Sequence, residues 1–186
     1  PAVHIRIALS ILAEVVELPG LREVFLVRGT ECHVGSAESG IGNALGAVLD
    51  PATGSAAHEC LLLDVAGCRV SFQHHIGASS RPWLGGYQLQ AAIVAEGYRC
   101  AAAGLPMPRL LVRSHRHQYG YLETSGGACL VTPALQLLTR YARKVVQSTL
   151  AEVGAVALDW RGVEDGETPI VRPRLYRTKP APARRI

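Results

Sequence analysis

The sequence lacks the long apolar runs and the charge bias that mark membrane-spanning and disordered proteins. No apolar stretch approaches the length that a bilayer span requires. Charged residues make up only 18% of the chain and apolar residues 48%, which does not favour disorder. No secretory signal pattern opens the chain. The 186 residues therefore predict one soluble globular domain, or a large part of a bigger one, with no membrane partner.

The cysteines lack the spacing of a disulfide framework or a zinc ribbon. Their number, five, is odd, they lie far apart, and no two of them are separated by two residues. Disulfide frameworks belong to oxidising compartments. The pattern therefore predicts a reducing, cytoplasmic location.

Excess positive charge is found at the end of the chain and not in the preceding residues. Residues 171–186 hold six basic side chains and no acidic one, whereas the preceding residues hold 13 basic and 15 acidic side chains. The net charge of +4 therefore arises from the end of the chain. We expect residues 1–177 to form the domain and residues 178–186 to be a solvated basic tail, with nucleic acid as its possible partner.

The periodicity of apolar residues predicts alternating helices and strands early in the chain and mostly strands later. The predicted helices are 3–18, 36–50, 83–104 and 135–150, and the predicted strands are 23–27, 61–64, 68–73, 109–113, 119–124, 128–132, 154–160 and 170–176. This order favours a layered α/β domain with at least one mixed sheet over an all-helical or barrel fold.

Five of the seven histidines follow predicted strands. They are His33, His74, His75, His115 and His117. Ligands of open α/β sheets gather at the carboxyl ends of strands, so these histidines are candidates for one site. His4 and His58 are interpreted as surface or packing residues.

The spacing of His115 and His117 favours metal binding. In an extended turn, two imidazoles two residues apart point the same way, and each can bind one of two neighbouring cations. Imidazole nitrogen suits Zn, Mn, Fe and Ni. A pair of exposed loop histidines without a ligand is the alternative for these two residues taken alone.

Other catalytic patterns are missing or weak. The chain has no glycine-rich phosphate loop that ends in Lys-Ser or Lys-Thr, and no Gly-x-Ser-x-Gly elbow. Cys32 beside His33 is a weak nucleophile candidate, because adjacent residues on a strand or turn usually face apart.

Three strand ends in series resemble the later motifs of the calcineurin-like metallophosphoesterases, in particular the divergent phage and prophage members. They are Arg28-Gly29-Thr30-Glu31-Cys32-His33, His74-His75-Ile76-Gly77 and Ser114-His115-Arg116-His117. The family counterparts are Gly-Asn-His-Asp/Glu, a strand-terminal His and Gly-His-x-His. The resemblance spans roughly residues 1–160 and implies an α/β/β/α sandwich of two mixed sheets flanked by helices.

The resemblance also implies roles for individual residues. His115 and His117 would bind two divalent ions (Mn, Fe, Zn or Ni) separately, and His74 or His75 would be a further ligand. Glu31 would supply an oxygen ligand, and His33 would protonate the leaving oxygen or bind phosphate. Arg28 and Arg81 would contribute positive charge to the phosphate, through the planar donor fork of arginine.

The family's first two motifs, Asp-x-His and Gly-Asp, do not occur in this sequence. They would precede the first predicted helix, and the chain begins at Pro1 rather than Met. We therefore expect the amino-terminal part of the domain to be missing. The leading hypothesis is a metal-dependent hydrolase of phosphate mono- or diesters that uses a two-metal activated hydroxide. The alternative is a catalytically inactive binding or assembly module that contacts nucleic acid through the basic tail.

Overall fold

The structure, a computed structural model, describes residues 2–30, 37–77, 84–135 and 152–177. Its helices are α1 (Ala2–Val16), α2 (Ala37–Ala44) and α3 (Gly85–Ala103). Its strands are β1 (Cys60–Val65), β2 (Cys68–Gln73), β3 (Leu110–Arg113), β4 (Gly120–Thr124), β5 (Gly127–Val131), β6 (Glu152–Asp159) and β7 (Ile170–Arg177). The helix predicted at 135–150 and the tail at 178–186 lie outside the described residues. Within the described ranges, no helix is both long enough and apolar enough to cross a bilayer.

The chain divides into two compact units. The first contains the described residues within 1–61 together with 72–75, and the second contains those within 62–71 and 76–177. Each unit has its own packing and is described by itself.

The first unit contains α1 and α2, which contact each other. The segment predicted as a strand at 23–27 is not a strand in the described part of the chain; Val27 forms an isolated parallel bridge with His58. Backbone hydrogen bonds of 2.8 Å from His58 N to Leu26 O and from Arg28 N to His58 O flank that bridge. The His58 side chain is buried and its Nε2 donates to Val48 O at 3.0 Å. The interpretation of His58 as a packing residue is therefore confirmed.

Helix α2 is shorter than the predicted span 36–50 because its sequence is rich in glycine. The helix ends at Ala44, and Gly46 adopts a left-handed φ of 66°. Gly42 is buried, and a Cβ built there would lie 2.6 Å from the carbonyl oxygen of Ala56 and 2.9 Å from Cδ1 of Leu26. This glycine therefore lets α2 approach the neighbouring backbone closely.

We expect Gly42→Ala to lower the free energy of unfolding by about 1–3 kcal/mol, because the helix would have to move away from Ala56. Gly40→Ala is the matched control on the same helix, since nothing lies within 4 Å of its Cβ position. That control should raise the free energy of unfolding by up to about 1 kcal/mol. Urea denaturation measures both values, and equal effects of the two substitutions would contradict the close approach at Gly42.

The second unit is organised by most of a mixed five-stranded sheet with the order β1-β2-β3-β5-β4. Strands β1 and β2 form the predicted hairpin through Ala66 and Gly67, both of which have the positive φ of a type I′ turn. Strand β3 pairs in parallel with β5, whereas β4 pairs antiparallel with β5. Every residue of β3 and β5 is buried, so these two strands lie at the centre of the core.

Helix α3 packs against β4 and β5, and its C-cap residue is Gly104, which adopts the left-handed φ of 63° that favours glycine. The helix contributes to an apolar cluster that consists of Ile76, Leu89, Ile93, Leu111, Cys129 and Val131, with Ala92, Met107 and Leu122 packed against it. The four cysteines that the structure describes are free, as the sequence pattern favours.

Strands β6 and β7 form a separate antiparallel pair. A Cβ at Gly154 would overlap the carbonyl oxygen of Arg174, so glycine permits the close approach of the two strands. The α/β fold class with two sheets is confirmed: the larger sheet is mixed, and the described part of the smaller sheet is this strand pair.

Candidate functional site

The first unit contains a polar cavity of about 200 Å³. It is lined by Arg28, Gly29, Glu59, Gln73, His74 and His75. Three of these residues, Arg28, His74 and His75, are candidates from the sequence, so the structure brings them to one cavity. Their predicted roles as phosphate and metal ligands stay predictions.

Both histidines that follow β2 line the cavity. The imidazole rings of His74 and His75 meet edge to face with their centroids 5.1 Å apart. His74 is half-buried and His75 is exposed. The sequence leaves open which of the two points inward, and the structure places both at the cavity wall.

Arg28 is held in place by contacts of its side chain and by the hydrogen bond from its backbone N to His58 O. Its Nε lies 3.2 Å from Oε1 of Glu59, and its Nη2 donates to Ser55 Oγ at 3.1 Å. The Glu59 side chain is exposed and solvent screens this ion pair, so we assign it an orienting role rather than a large stabilisation.

Glu38 is a residue of this region that the sequence analysis missed. Its Oε1 accepts a hydrogen bond from Gly29 N at 2.8 Å, while its Oε2 is buried with no hydrogen-bond partner among the described residues. Burial raises the pKa of this carboxyl above its usual value, although the Gly29 N–H and the Arg28 charge oppose the rise. The only sequence signal was an acidic residue in the first turn of a helix, a common position for acids.

The raised pKa of Glu38 predicts a pH dependence of stability. The folded state holds this proton more tightly than the unfolded state, so the stabilisation is complete below the usual glutamate pKa and is lost as pH rises through the raised value. Glu38→Gln mimics the protonated carboxyl, and wild type should lose stability relative to it between acidic and neutral pH. Denaturant unfolding over a pH series measures the difference, which a pH-independent offset would contradict.

The turn after β3 does not have the extended backbone that the sequence predicted. His115 and His117 have left-handed φ values of 66° and 56°, so the premise of an extended turn with two parallel imidazoles is wrong. Non-glycine residues rarely adopt this conformation, which costs roughly 1 kcal/mol or more per residue. Such strain clusters at functional sites. The turn therefore remains a candidate site, for a reason other than the one the spacing suggested.

Neighbouring segments of the second unit hold this turn in place. Ser114 Oγ and Thr132 Oγ1 lie within hydrogen-bonding distance, 2.9 Å, at the ends of the parallel strands β3 and β5. Arg116 Nη1 donates to the carbonyl oxygen of Gly85 at 3.2 Å. The carboxylate of Glu152 accepts a hydrogen bond from Tyr119 N at 2.8 Å. Contacts from β5, α3 and β6 thus compensate for the strained backbone.

The described residues do not form a binding site for the predicted pair of metal ions. Imidazoles are suitable donors, but in ranges 2–30, 37–77, 84–135 and 152–177 no group of three or more His, Cys, Asp or Glu side chains is placed to hold an ion. Glu31, His33 and Arg81 lie outside these ranges, so their predicted roles are not tested. Two close dications would repel strongly without a bridging carboxylate.

Comparison with known proteins gives only distant similarities. No protein-family profile matches the chain, and no curated protein does. A Thermotoga maritima protein solved by NMR is 18% identical with a TM-score of 0.31, and the match covers 64% of this chain and only 54% of that protein. A single mutant of Vps29 from Entamoeba histolytica is 14% identical, with a TM-score of 0.46 and coverage of 91% and 89%. Vacuolar protein sorting 29 from Cryptosporidium parvum is 13% identical, with a TM-score of 0.44 and the same coverage.

The Vps29 structures have the calcineurin-like metallophosphoesterase fold. Their identities and TM-scores are too low for the likeness to assign this chain to that family or to argue for an activity.

Proposed function

We propose that this chain is a metal-dependent hydrolase of phosphate mono- or diesters, and that its reacting centre is the turn carrying His115 and His117. The observation that carries the proposal is the pair of left-handed histidines at the carboxyl end of a buried parallel strand. Bound groups of α/β sheets gather at such strand ends. The sequence motif Ser114-His115-Arg116-His117, which resembles Gly-His-x-His, supports the same chemistry.

Proton transfer is the part of phosphate-ester hydrolysis that these two imidazoles can perform themselves; the metal would need ligands outside the described ranges, such as Glu31. A neutral imidazole accepts a proton from the attacking water as the new P–O bond forms. A protonated imidazole donates a proton to the leaving oxygen as the old P–O bond breaks. Fixing the turn through Ser114, Arg116 and Glu152 orients the rings before substrate arrives, which lowers the entropic cost of reaching the reactive geometry.

The test is hydrolysis of an aryl phosphodiester with added Mn²⁺ by wild type, His115→Asn and His117→Asn. Asparagine tolerates a left-handed backbone, so the fold should survive while the imidazole is lost. We expect each variant to lose activity by about a hundredfold or more, the usual contribution of general acid–base catalysis. His4→Asn makes the same chemical change on α1 of the first unit and should retain activity.

Two outcomes would overturn this proposal. Full activity in both turn variants would place the reaction elsewhere. No hydrolysis by folded wild-type protein, with Mn²⁺ present, would support the non-catalytic binding module instead. Loss of wild-type activity on chelation, restored by adding Mn²⁺, is the expected metal dependence.

The strain at the turn gives a second, independent prediction. Glycine adopts a positive φ without steric cost, so His115→Gly should keep or raise the free energy of unfolding, by up to about 1 kcal/mol, while activity falls. Thermal unfolding beside the same hydrolysis assay measures both effects. A large destabilisation without loss of activity would indicate that His115 serves the fold and not the reaction.

A further inference from the structure

One face of strand β7 presents an exposed basic and aromatic row. Alternate residues of a strand share a face, and the alternate residues Ile170, Arg172, Arg174 and Tyr176 are all exposed. The exposed fraction of Tyr176 is 74%, and that of the Arg172 side chain is 58%. We call these four residues the β7 face. Successive members lie about 7 Å apart along the strand.

The partner strand leaves the β7 face open. Arg172 pairs with Ala157 and Arg174 pairs with Ala155, and both alanines are exposed. A methyl side chain is too short to cover a neighbouring guanidinium group or a phenol ring. The β6–β7 pair therefore offers a shallow surface on which an extended chain can lie.

The charge of this surface is positive after its internal ion pairs are counted. Asp159, the register partner of Ile170, faces it, and its Oδ2 contacts Arg161 Nη2 at 2.8 Å and Arg172 Nε at 3.3 Å. One carboxylate therefore faces two guanidinium groups, and Arg174 adds a third. The sequence beyond Glu167 contains no acidic residue and continues into further lysine and arginine.

We propose that the β7 face binds single-stranded nucleic acid, with Arg172 and Arg174 contacting phosphates and Tyr176 stacking on a base. Positive grooves combined with exposed aromatic rings are the general means of binding unpaired strands. A stacking ring on a flat face requires an unstacked base, which a duplex does not offer. The inference does not depend on the proposed hydrolysis.

The test is fluorescence anisotropy of a labelled oligothymidylate titrated with the full chain. Tyr176→Ala should weaken binding by about fivefold or more, the typical effect of losing one base stack. Tyr98→Ala is the matched control, because Tyr98 lies on α3 with an exposed fraction of 76%. We expect that control to bind as wild type does.

The salt dependence of binding tests the arginine contacts. Arg174→Ala should reduce the slope of log K against log salt by about 0.7, the value for one phosphate contact to a single strand. Arg22→Ala removes an exposed arginine of the first unit and should leave the slope unchanged. Thermal unfolding of each variant checks that the strand pair is intact.

Four results would overturn the inference. The first is unchanged affinity in Tyr176→Ala together with an unchanged slope in Arg174→Ala. The second is loss of all binding in the tail variant Arg184→Ala/Arg185→Ala while the β7 variants bind normally. The third is equal affinity for a duplex of the same length. The fourth is binding to phosphatidylserine vesicles without binding to the oligothymidylate.

Discussion

The parallel pairing of β3 with β5 is the constraint on which the candidate reacting centre depends. All residues of both strands are buried, and the register aligns Arg113 with Val131. The next residues, Ser114 and Thr132, therefore leave the sheet at the same edge, where their hydroxyls lie 2.9 Å apart. A backbone hydrogen bond of 2.8 Å from Thr132 N to Arg113 O extends the ladder to this point. The position of the histidine turn follows from the burial of the two strands.

The turn itself shows how a rigid core supports an unfavourable local conformation. Two non-glycine residues in the left-handed region are disfavoured by sterics alone. They persist because surrounding segments contribute hydrogen bonds from Arg116 to Gly85 and from Tyr119 to Glu152. Neighbouring segments thus fix a backbone conformation that these residues would not prefer by themselves. Such a conformation is expected where the orientation of a side chain matters more than the stability of the fold.

Arginine serves two contrasting purposes in the second unit. Arg113 is buried, and its Nη1 donates to the carbonyl oxygens of Ser71 and Val112 at 2.9 and 3.0 Å, which offsets the cost of burying the charge. Arg172 and Arg174 lie instead on an exposed face opposite alanines. The same side chain is thus buried in the core at the end of one strand and exposed to solvent along another.

The sequence by itself determined most of the helices and strands. Apolar periodicity and turn residues such as Gly67 and Gly104 are signals contained within a few neighbouring residues. It also indicated that histidines follow three strand ends. Only the tertiary structure decided that 23–27 makes a single bridge, that the backbone at His115 and His117 is left-handed, and that the Glu38 carboxyl is buried beside Gly29. These features depend on contacts between residues distant in the chain or on strain fixed by neighbouring segments, and a local pattern contains neither.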